Sequence, residues 1–156
     1  QALHTVLRAN DELAHRALFG WFVDNEAVNE LLEVHSPYLE AYLKDVLQDA
    51  YTLYRFYVVN NRYAEATKLA YSLALAEGNG LTLRERLEYL ARAIASCKEC
   101  SSTVEVNAAD LDDMMEVAHI QVKVLERVSG ECLEEADKSK AVEKLNHGLH
   151  DLSELY

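Results

Sequence analysis

Residues that interrupt helices are scarce in this chain, and this scarcity limits its fold more than any other sequence feature. One Pro and five Gly are spread over 156 residues, so few positions force a helix to end. Half of the residues are apolar. They recur at helical spacing, whereas no segment shows the alternation of a half-buried strand. The sequence therefore predicts an all-α fold.

Helices joined by short turns are predicted along the chain. They span residues 2–23, 26–34, 37–49, 51–60, 63–77, 108–128 and 133–149. Asp24-Asn25 is interpreted as a break and cap, and Ser36-Pro37 as a helix start. Gly78 and Gly80 end the Ala-rich helix at 63–77. The first helix is predicted to bury Leu3, Val6, Leu7, Leu13, Ala17, Leu18, Trp21 and Phe22.

The stretch LTLRERLEYLARAI, residues 81–94, predicts a further helix with one apolar and one charged side. Thr82 and Glu85 have the spacing of a capping box, in which each side chain binds the other residue's backbone N–H. The inward stripe is predicted to be Leu83, Leu87, Leu90, Ile94 and Cys97. A charge ladder is predicted to face water or a neighbouring protein, and it consists of Arg84, Glu88 and Arg92.

Successive helices without strands are typical of a helical bundle or of a stretch of α-solenoid. No fixed sequence period supports a tetratricopeptide array. We expect residues 1–156 to form a single helical segment, with a polar linker near 101–107 that ends at a capping Asn107. The chain begins at Gln1 rather than Met and is interpreted as a piece of a longer protein.

The net charge of −12 is unevenly distributed. Residues 1–54 carry three basic and nine acidic side chains, residues 55–98 seven and four, and residues 99–156 five and 14. An acidic chain repels phosphate backbones, so direct binding of nucleic acid is not expected. No apolar run reaches the length of a membrane span, and no signal-peptide pattern opens the sequence.

The three cysteines do not predict a disulfide framework, which suits a reducing compartment. Cys97 and Cys100 form a C-x-x-C, but the second ligand pair of a structural zinc site is missing, and Cys132 stands apart. The motif also lies at the end of a helix rather than at the N-terminus, where the helix dipole would favour a thiolate. We therefore predict no bound metal and no redox role.

Other side chains that could carry chemistry have a simpler interpretation. His147 and His150 lie one helical turn apart without nearby ligand partners, and His119 with Glu116 is a pairing that any Glu-rich helix offers. The acids of DLDD, residues 110–113, are expected at a helix start, where they oppose the dipole. A core role is predicted for Tyr51, Tyr54, Phe56 and Tyr57. No catalytic residue and no cofactor are expected, and the sequence argues against an enzyme.

Several segments resemble one protein family when they are taken together and in order. The first is DELAHRALFGWFVDNEAVNELLEVHSPYLEAYL, residues 11–43. It is followed by matches at Leu53, Phe56, Tyr57, Tyr63, Ala66, Leu69, Leu73 and Ala74. The most specific segment follows the pattern L-S/T-L-x-x-R-I/L-E-Y-L/I-x-R-A at residues 81–93. MEVAHIQVKVLE, residues 115–126, and DLSELY at the end complete the series. Tyr54 and Thr67 depart from the pattern, which has Trp and Ala there.

These segments are similar to the C-terminal helical region of the large inner-ring scaffold nucleoporins of vertebrates and fungi. The resemblance implies a segment of an α-helical solenoid built from antiparallel helix pairs, downstream of a β-propeller. It also implies a structural role in the inner ring of the nuclear pore complex, at the nuclear envelope. The expected partners are other nucleoporins, through short segments of linker nucleoporins that include the autoproteolytic FG-bearing type. Membrane contact is not expected, because the family's membrane motif lies in the propeller.

Two alternatives remain at the level of sequence. A helical-repeat adaptor or vesicle-coat subunit would have the same helical pattern. An enzyme or metal protein would use Cys97, Cys100 and a histidine. No partner-contacting residue can be assigned from the sequence, and the partner-binding positions are left unknown.

Overall fold

The computed structural model describes residues 11–77, 80–100, 108–130 and 135–149. Within these ranges the chain forms helices and no strand, which confirms the all-α prediction. Two compact units divide the chain, Gln1–Arg62 and Tyr63–Tyr156. The predicted linker at 101–107 with Asn107, and Cys132, His150 and Gly78, lie outside the described residues. A single continuous segment over residues 1–156 stays a prediction.

The first unit consists of short helices around an aromatic core. They are α1 (Glu12–Asp24), α2 (Val28–Leu32), α3 (Leu39–Tyr42) with a π-helical turn (Leu43–Leu47), and α4 (Ala50–Val59). Asp11 caps α1, where its carboxylate accepts the backbone N–H of Leu13 at 3.0 Å. Asp49 caps α4 in the same way by accepting from Tyr51 at 3.2 Å. Carboxylates at both sites also complement the positive end of the helix dipole.

The buried side of α1 differs from the predicted one. His15, Phe19 and Phe22 face the core, whereas Leu13 is 77% and Trp21 54% exposed. The prediction was wrong for Leu13, Ala17 and Trp21 because α1 is apolar on both sides, and helical periodicity does not say which side packs. Leu3, Val6 and Leu7 lie outside the described residues. The Phe19 ring meets the ring of Tyr42 edge-on at 5.3 Å, which anchors α1 against α3.

The turns of the first unit also depart from the sequence prediction. Asn25 ends α1, donating its side-chain amide to the Trp21 carbonyl at 2.7 Å, and does not start the next helix. The helix predicted at 37–49 begins at Leu39, with the Ser36 hydroxyl accepting the Tyr38 N–H at 3.2 Å. It ends in the π turn, and Gln48 then takes a left-handed conformation with φ of 52°.

The second unit contains α5 (Tyr63–Leu75), α6 (Leu83–Glu99), α7 (Ala108–Gly130) and α8 (Glu135–His147). Helix α6 packs against α5 and α7, and α8 packs against α7 and α6. On α5 the residues Ala66, Ala70 and Ala74 are fully buried, as the sequence predicted. Their small side chains let α6 approach closely. Gly80 has φ of 75°, the conformation for which glycine is suited after a helix.

The capping box of α6 is confirmed, but its inward stripe is shifted. Thr82 Oγ1 accepts the Glu85 N–H at 3.3 Å, and the Glu85 carboxylate accepts the Thr82 N–H at 2.7 Å. The buried residues of α6 are Leu83, Arg86, Leu90, Ala93 and Ser96. Leu87, Ile94 and Cys97 are only half-buried. The predicted stripe excluded an arginine as polar, although Arg86 shares its register with Leu83 and Leu90.

The predicted charge ladder on α6 forms in part. Arg92 pairs with Glu88 at 3.2 Å, whereas Arg84 reaches Glu126 of α7 at 2.7 Å. An exposed pair of this kind contributes about 0–1 kcal/mol. The charged side of α6 therefore adds little to stability beside its buried leucines.

Candidate partner-binding surface

The cysteines and histidines that drew attention in the sequence lie apart. Cys97 and Cys100 are half-buried at the end of α6, where the Cys100 N–H donates to the Cys97 carbonyl at 3.2 Å. The His119 ring nitrogen lies 2.8 Å from the Met115 carbonyl oxygen on its own helix. His147 lies 3.9 Å from Glu77. Among the described residues, no three His, Cys, Asp or Glu side chains gather as a potential metal site.

The aromatic cluster on α4 is divided between core and surface. Phe56 and Tyr57 are buried, as predicted. Tyr51 is 45% exposed, which corrects its placement in the core, and Tyr54 is half-buried. The cluster is therefore part of the packing of the first unit and does not form a closed aromatic pocket.

Arg86 forms a buried polar joint that the sequence analysis missed. Its side chain is 1% exposed and donates to the carbonyl oxygens of Ala74 and Ala76 at 2.8 and 2.7 Å, and of His147 at 2.9 Å. These carbonyls lie at the C-terminal ends of α5 and α8, where the helix dipoles favour a positive charge. Burial lowers the pKa of Arg86, and the charge of Glu77 opposes that shift. The guanidinium stays charged because its ordinary pKa is very high.

Gln121 of α7 closes the same end of α8. It is fully buried, and its side-chain amide donates to the carbonyls of Leu145 at 2.7 Å and Gly148 at 2.8 Å. An open cleft of about 340 Å³ lies beside the joint. Its lining includes Gly80, Leu81, Thr82, Glu143, Asn146 and His147. Because Arg86 of α6 and Gln121 of α7 bind the ends of α5 and α8, this region joins four helices.

In the first unit, Glu40 is the centre of a charged cluster. It accepts hydrogen bonds from Lys44 at 2.7 Å, from the Tyr57 hydroxyl at 2.9 Å, and from Arg62. The hydrogen bond from Arg62 is the main cause that lowers the pKa of Glu40 to about 2. The Arg62 guanidinium also lies over the Tyr57 ring, 4.8 Å from its centroid. These side chains hold α3, α4 and the end of the first unit to one another.

Exposed large apolar side chains of the described residues are concentrated in the first unit. They are Leu13, Trp21, Val46, Tyr51 and Val59. Leu13 and Trp21 lie eight residues apart on α1, with the exposed Ala17 between them at helical spacing. We name this stripe of Leu13, Ala17 and Trp21 the outer face of α1. It is the candidate partner-binding surface, because a half-exposed tryptophan beside an exposed leucine is typical of protein interfaces.

Comparison with known proteins places the chain in a family. All of residues 1–156 match the family described as non-repetitive/WGA-negative nucleoporin C-terminal. The chain belongs to this nucleoporin family. Nucleoporins are components of the nuclear pore complex in the nuclear envelope, and the chain corresponds to the C-terminal region of the large scaffold nucleoporin. The family resemblance read from the sequence is thereby confirmed.

Full-length relatives of this nucleoporin are much longer. The nuclear pore complex protein Nup154 of Drosophila melanogaster is 28% identical over 98% of the chain and 12% of its own length. The nucleoporin NUP170 of Saccharomyces cerevisiae is 26% identical over 100% of the chain and 11% of its own length. The chain thus spans about a tenth of these relatives.

Solved structures share the helical fold. The chain matches the Chaetomium thermophilum Nup170 CTD, solved in complex with Nup145N, with a TM-score of 0.84 at 26% identity. That match covers 99% of the chain and 32% of the Nup170 chain. A second structure, Nup170 SOL from the same organism, gives 0.78 at 26% identity over 99% of the chain and 22% of its own. The fold is therefore a segment of an α-helical solenoid built from antiparallel helix pairs, as predicted.

None of the described helices is long and apolar enough to cross a membrane.

Proposed function

We propose that this nucleoporin segment is a structural scaffold element of the inner ring of the nuclear pore complex. In this role it binds other nucleoporins through short linear segments and so supports nucleocytoplasmic transport. The observation that carries the proposal is the match to the Nup170 CTD in its complex with Nup145N. The match extends over nearly the whole chain, so the same helical framework is available for a similar partner.

The interior of the segment suits a holding role. Arg86 and Gln121 bind the carbonyls of helix ends, and the Glu40 cluster is closed by its own cations. No step of chemistry is assigned to these groups, and no enzyme activity is proposed. A helical-repeat adaptor outside the pore is not favoured, since the nucleoporin family match spans the chain. The acidic charge also disfavours nucleic acid as a direct ligand.

Binding and localisation test the proposal. The chain should bind a fragment of the Nup145N orthologue of its own organism in isothermal titration calorimetry. The parent protein, tagged with a fluorescent label, should appear at the nuclear rim. As a negative control, duplex DNA should show no binding to the chain at physiological salt. Absence from the nuclear rim, together with no affinity for the orthologue, would reject the scaffold role.

A further inference from the structure

The outer face of α1 exposes two large apolar side chains. Leu13 is 77% and Trp21 54% exposed, and each lies four residues from the small, exposed Ala17. The opposite side of α1 is already committed to the core through His15 and Phe19. A helix that is apolar on both sides is normally covered on both, so the outer face indicates an interface.

The charge around this face is strongly negative. Residues 11–33 contain six acidic side chains and one arginine, a net charge of −5. Asp11 and Glu12 lie at the start of α1, where Asp11 caps the helix and Glu12 pairs with Arg16 at 2.8 Å. Asp24 and Glu26 lie at its other end, and both are exposed. A partner that covers the apolar stripe must also meet Asp24 and Glu26.

Two of these carboxylates lie where they do not favour the local fold. Asp24 is in the last turn of α1, where a negative charge opposes the helix dipole, and no basic residue lies in that turn. Glu26 follows with φ of 57°, a conformation that glycine or asparagine adopts more easily. No described basic side chain forms an ion pair with either carboxylate. Their placement is better explained by a cationic partner than by the stability of α1.

We propose that the outer face of α1 binds a linear segment in which an aliphatic side chain is followed by Lys or Arg. The aliphatic group packs on Leu13 and Trp21 over the small Ala17, and the basic residues meet Asp24 and Glu26. The inference rests on the proposed function, that the chain binds segments of other nucleoporins. A second copy seated face to face fits poorly, because it would bring two regions of charge −5 together.

The test uses overlapping synthetic peptides that cover the Nup145N orthologue of the same organism, chosen without tryptophan. Trp21 is the chain's single tryptophan, so a peptide seated on the outer face should move its fluorescence to shorter wavelength. Affinity measured by calorimetry should fall about tenfold or more in Leu13→Ser, as for an interface hot spot. Asp24→Asn should weaken binding and reduce its dependence on salt.

Matched controls separate this surface from others. Val59→Ser removes a similarly exposed apolar side chain, 49% exposed, from α4, and Asp113→Asn removes an exposed carboxylate from α7. Both should bind the peptide with unchanged affinity. Circular dichroism should show that all four variants stay folded, because every altered side chain is exposed.

Each remaining outcome rejects the surface in a different way. A peptide that binds all variants equally, without a fluorescence shift, overturns the outer face of α1 but leaves the proposed function intact. Binding by no peptide, despite binding of the whole orthologue, shows that a linear segment is not the occupant. Self-association in sedimentation that is lost in Leu13→Ser would assign the face to a second copy.

Discussion

Replacing Arg86 with methionine should destabilise the second unit far more than its position in a charged helix suggests. The substitution keeps an unbranched apolar stem but removes the three hydrogen bonds to Ala74, Ala76 and His147. Each buried carbonyl left without its donor costs about 1–3 kcal/mol. Part of this loss is offset because a charge no longer has to be buried. We expect the free energy of unfolding to fall by about 3–5 kcal/mol.

Urea unfolding followed by circular dichroism gives that free energy, provided the m-value is unchanged. Hydrogen exchange adds a local measurement, since amides at the ends of α5 and α8 should lose protection before those of the first unit. Arg84→Met is the matched control. Arg84 lies two residues away on the same helix with a side chain 73% exposed, so its loss should cost about 1 kcal/mol or less.

Arg86→Lys separates the contribution of the positive charge from that of the guanidinium hydrogen bonds. A lysine keeps the charge at the two helix ends but lacks the fork of guanidinium donors, so its cost should fall between those of Arg86→Met and Arg84→Met. Equal urea midpoints for Arg86→Met and Arg84→Met would show that the buried Arg86 contributes no more stability than an exposed arginine. Unchanged hydrogen exchange at the end of α8 would show that Arg86 does not hold that helix end.

Three further predictions concern single contacts. The pKa of Glu40, about 2 when folded against 4.5 ordinarily, means that its stabilisation is complete above pH 4.5 and is lost as the pH falls toward 2. This stabilisation is about 1–2 kcal/mol, because water screens the half-exposed partners. Glu40→Gln should therefore lose less stability than wild type between pH 6 and 3 in urea titrations. An equal loss in both proteins would contradict the lowered pKa of Glu40. Leu90→Ala should cost about 2–5 kcal/mol, and the half-buried Leu87→Ala clearly less, so equal melting temperatures for the two variants would contradict the burial pattern. Thr82→Ala should cost about 1 kcal/mol through loss of the capping box, and an unchanged urea midpoint would show that the box contributes nothing.

Local signals in the sequence predicted two features of the second unit correctly. The capping box at Thr82 depends on residues three apart, and the alanine face of α5 follows from a single periodicity. Both features depend on residue spacing within one helix, so they can be predicted from the sequence alone. Helical periodicity was compatible with either a helical bundle or a solenoid, and the resemblance to nucleoporins favoured the solenoid.

Features that depend on tertiary contacts were missed. The buried side of α1 could not be chosen, because Leu13 and Phe19 give equally regular stripes and packing against α2 and α3 decides between them. The π turn after Tyr42 depends on a backbone hydrogen bond from the Gln48 N–H to the Leu43 carbonyl, which the helical spacing of residues 37–49 does not indicate. The acceptor that Arg86 finds at His147 lies 61 residues along the chain.

The outer face of α1 was also not predicted, because a rule that usually holds assigns such residues to the core. Apolar side chains at helical spacing are usually buried, and so Trp21 was assigned to the core. Its acidic surroundings were visible in the sequence from the start. An apolar stripe that ends beside Asp24 and Glu26, without a basic residue in that turn, is the sequence signal for a surface that binds a basic partner.

The joint at Arg86 and Gln121 restricts the chain in an unusual way. The acceptors at Ala74, Ala76, Leu145, His147 and Gly148 are peptide carbonyls, a group common to all residue types, so a substitution there leaves the oxygen atom on the chain. Inserting or deleting one residue in α5 or α8 would instead rotate those oxygens by about 100° around the helix axis. The joint therefore restricts the length of these two helices directly, whereas other contacts, such as the buried alanine face of α5, restrict their composition.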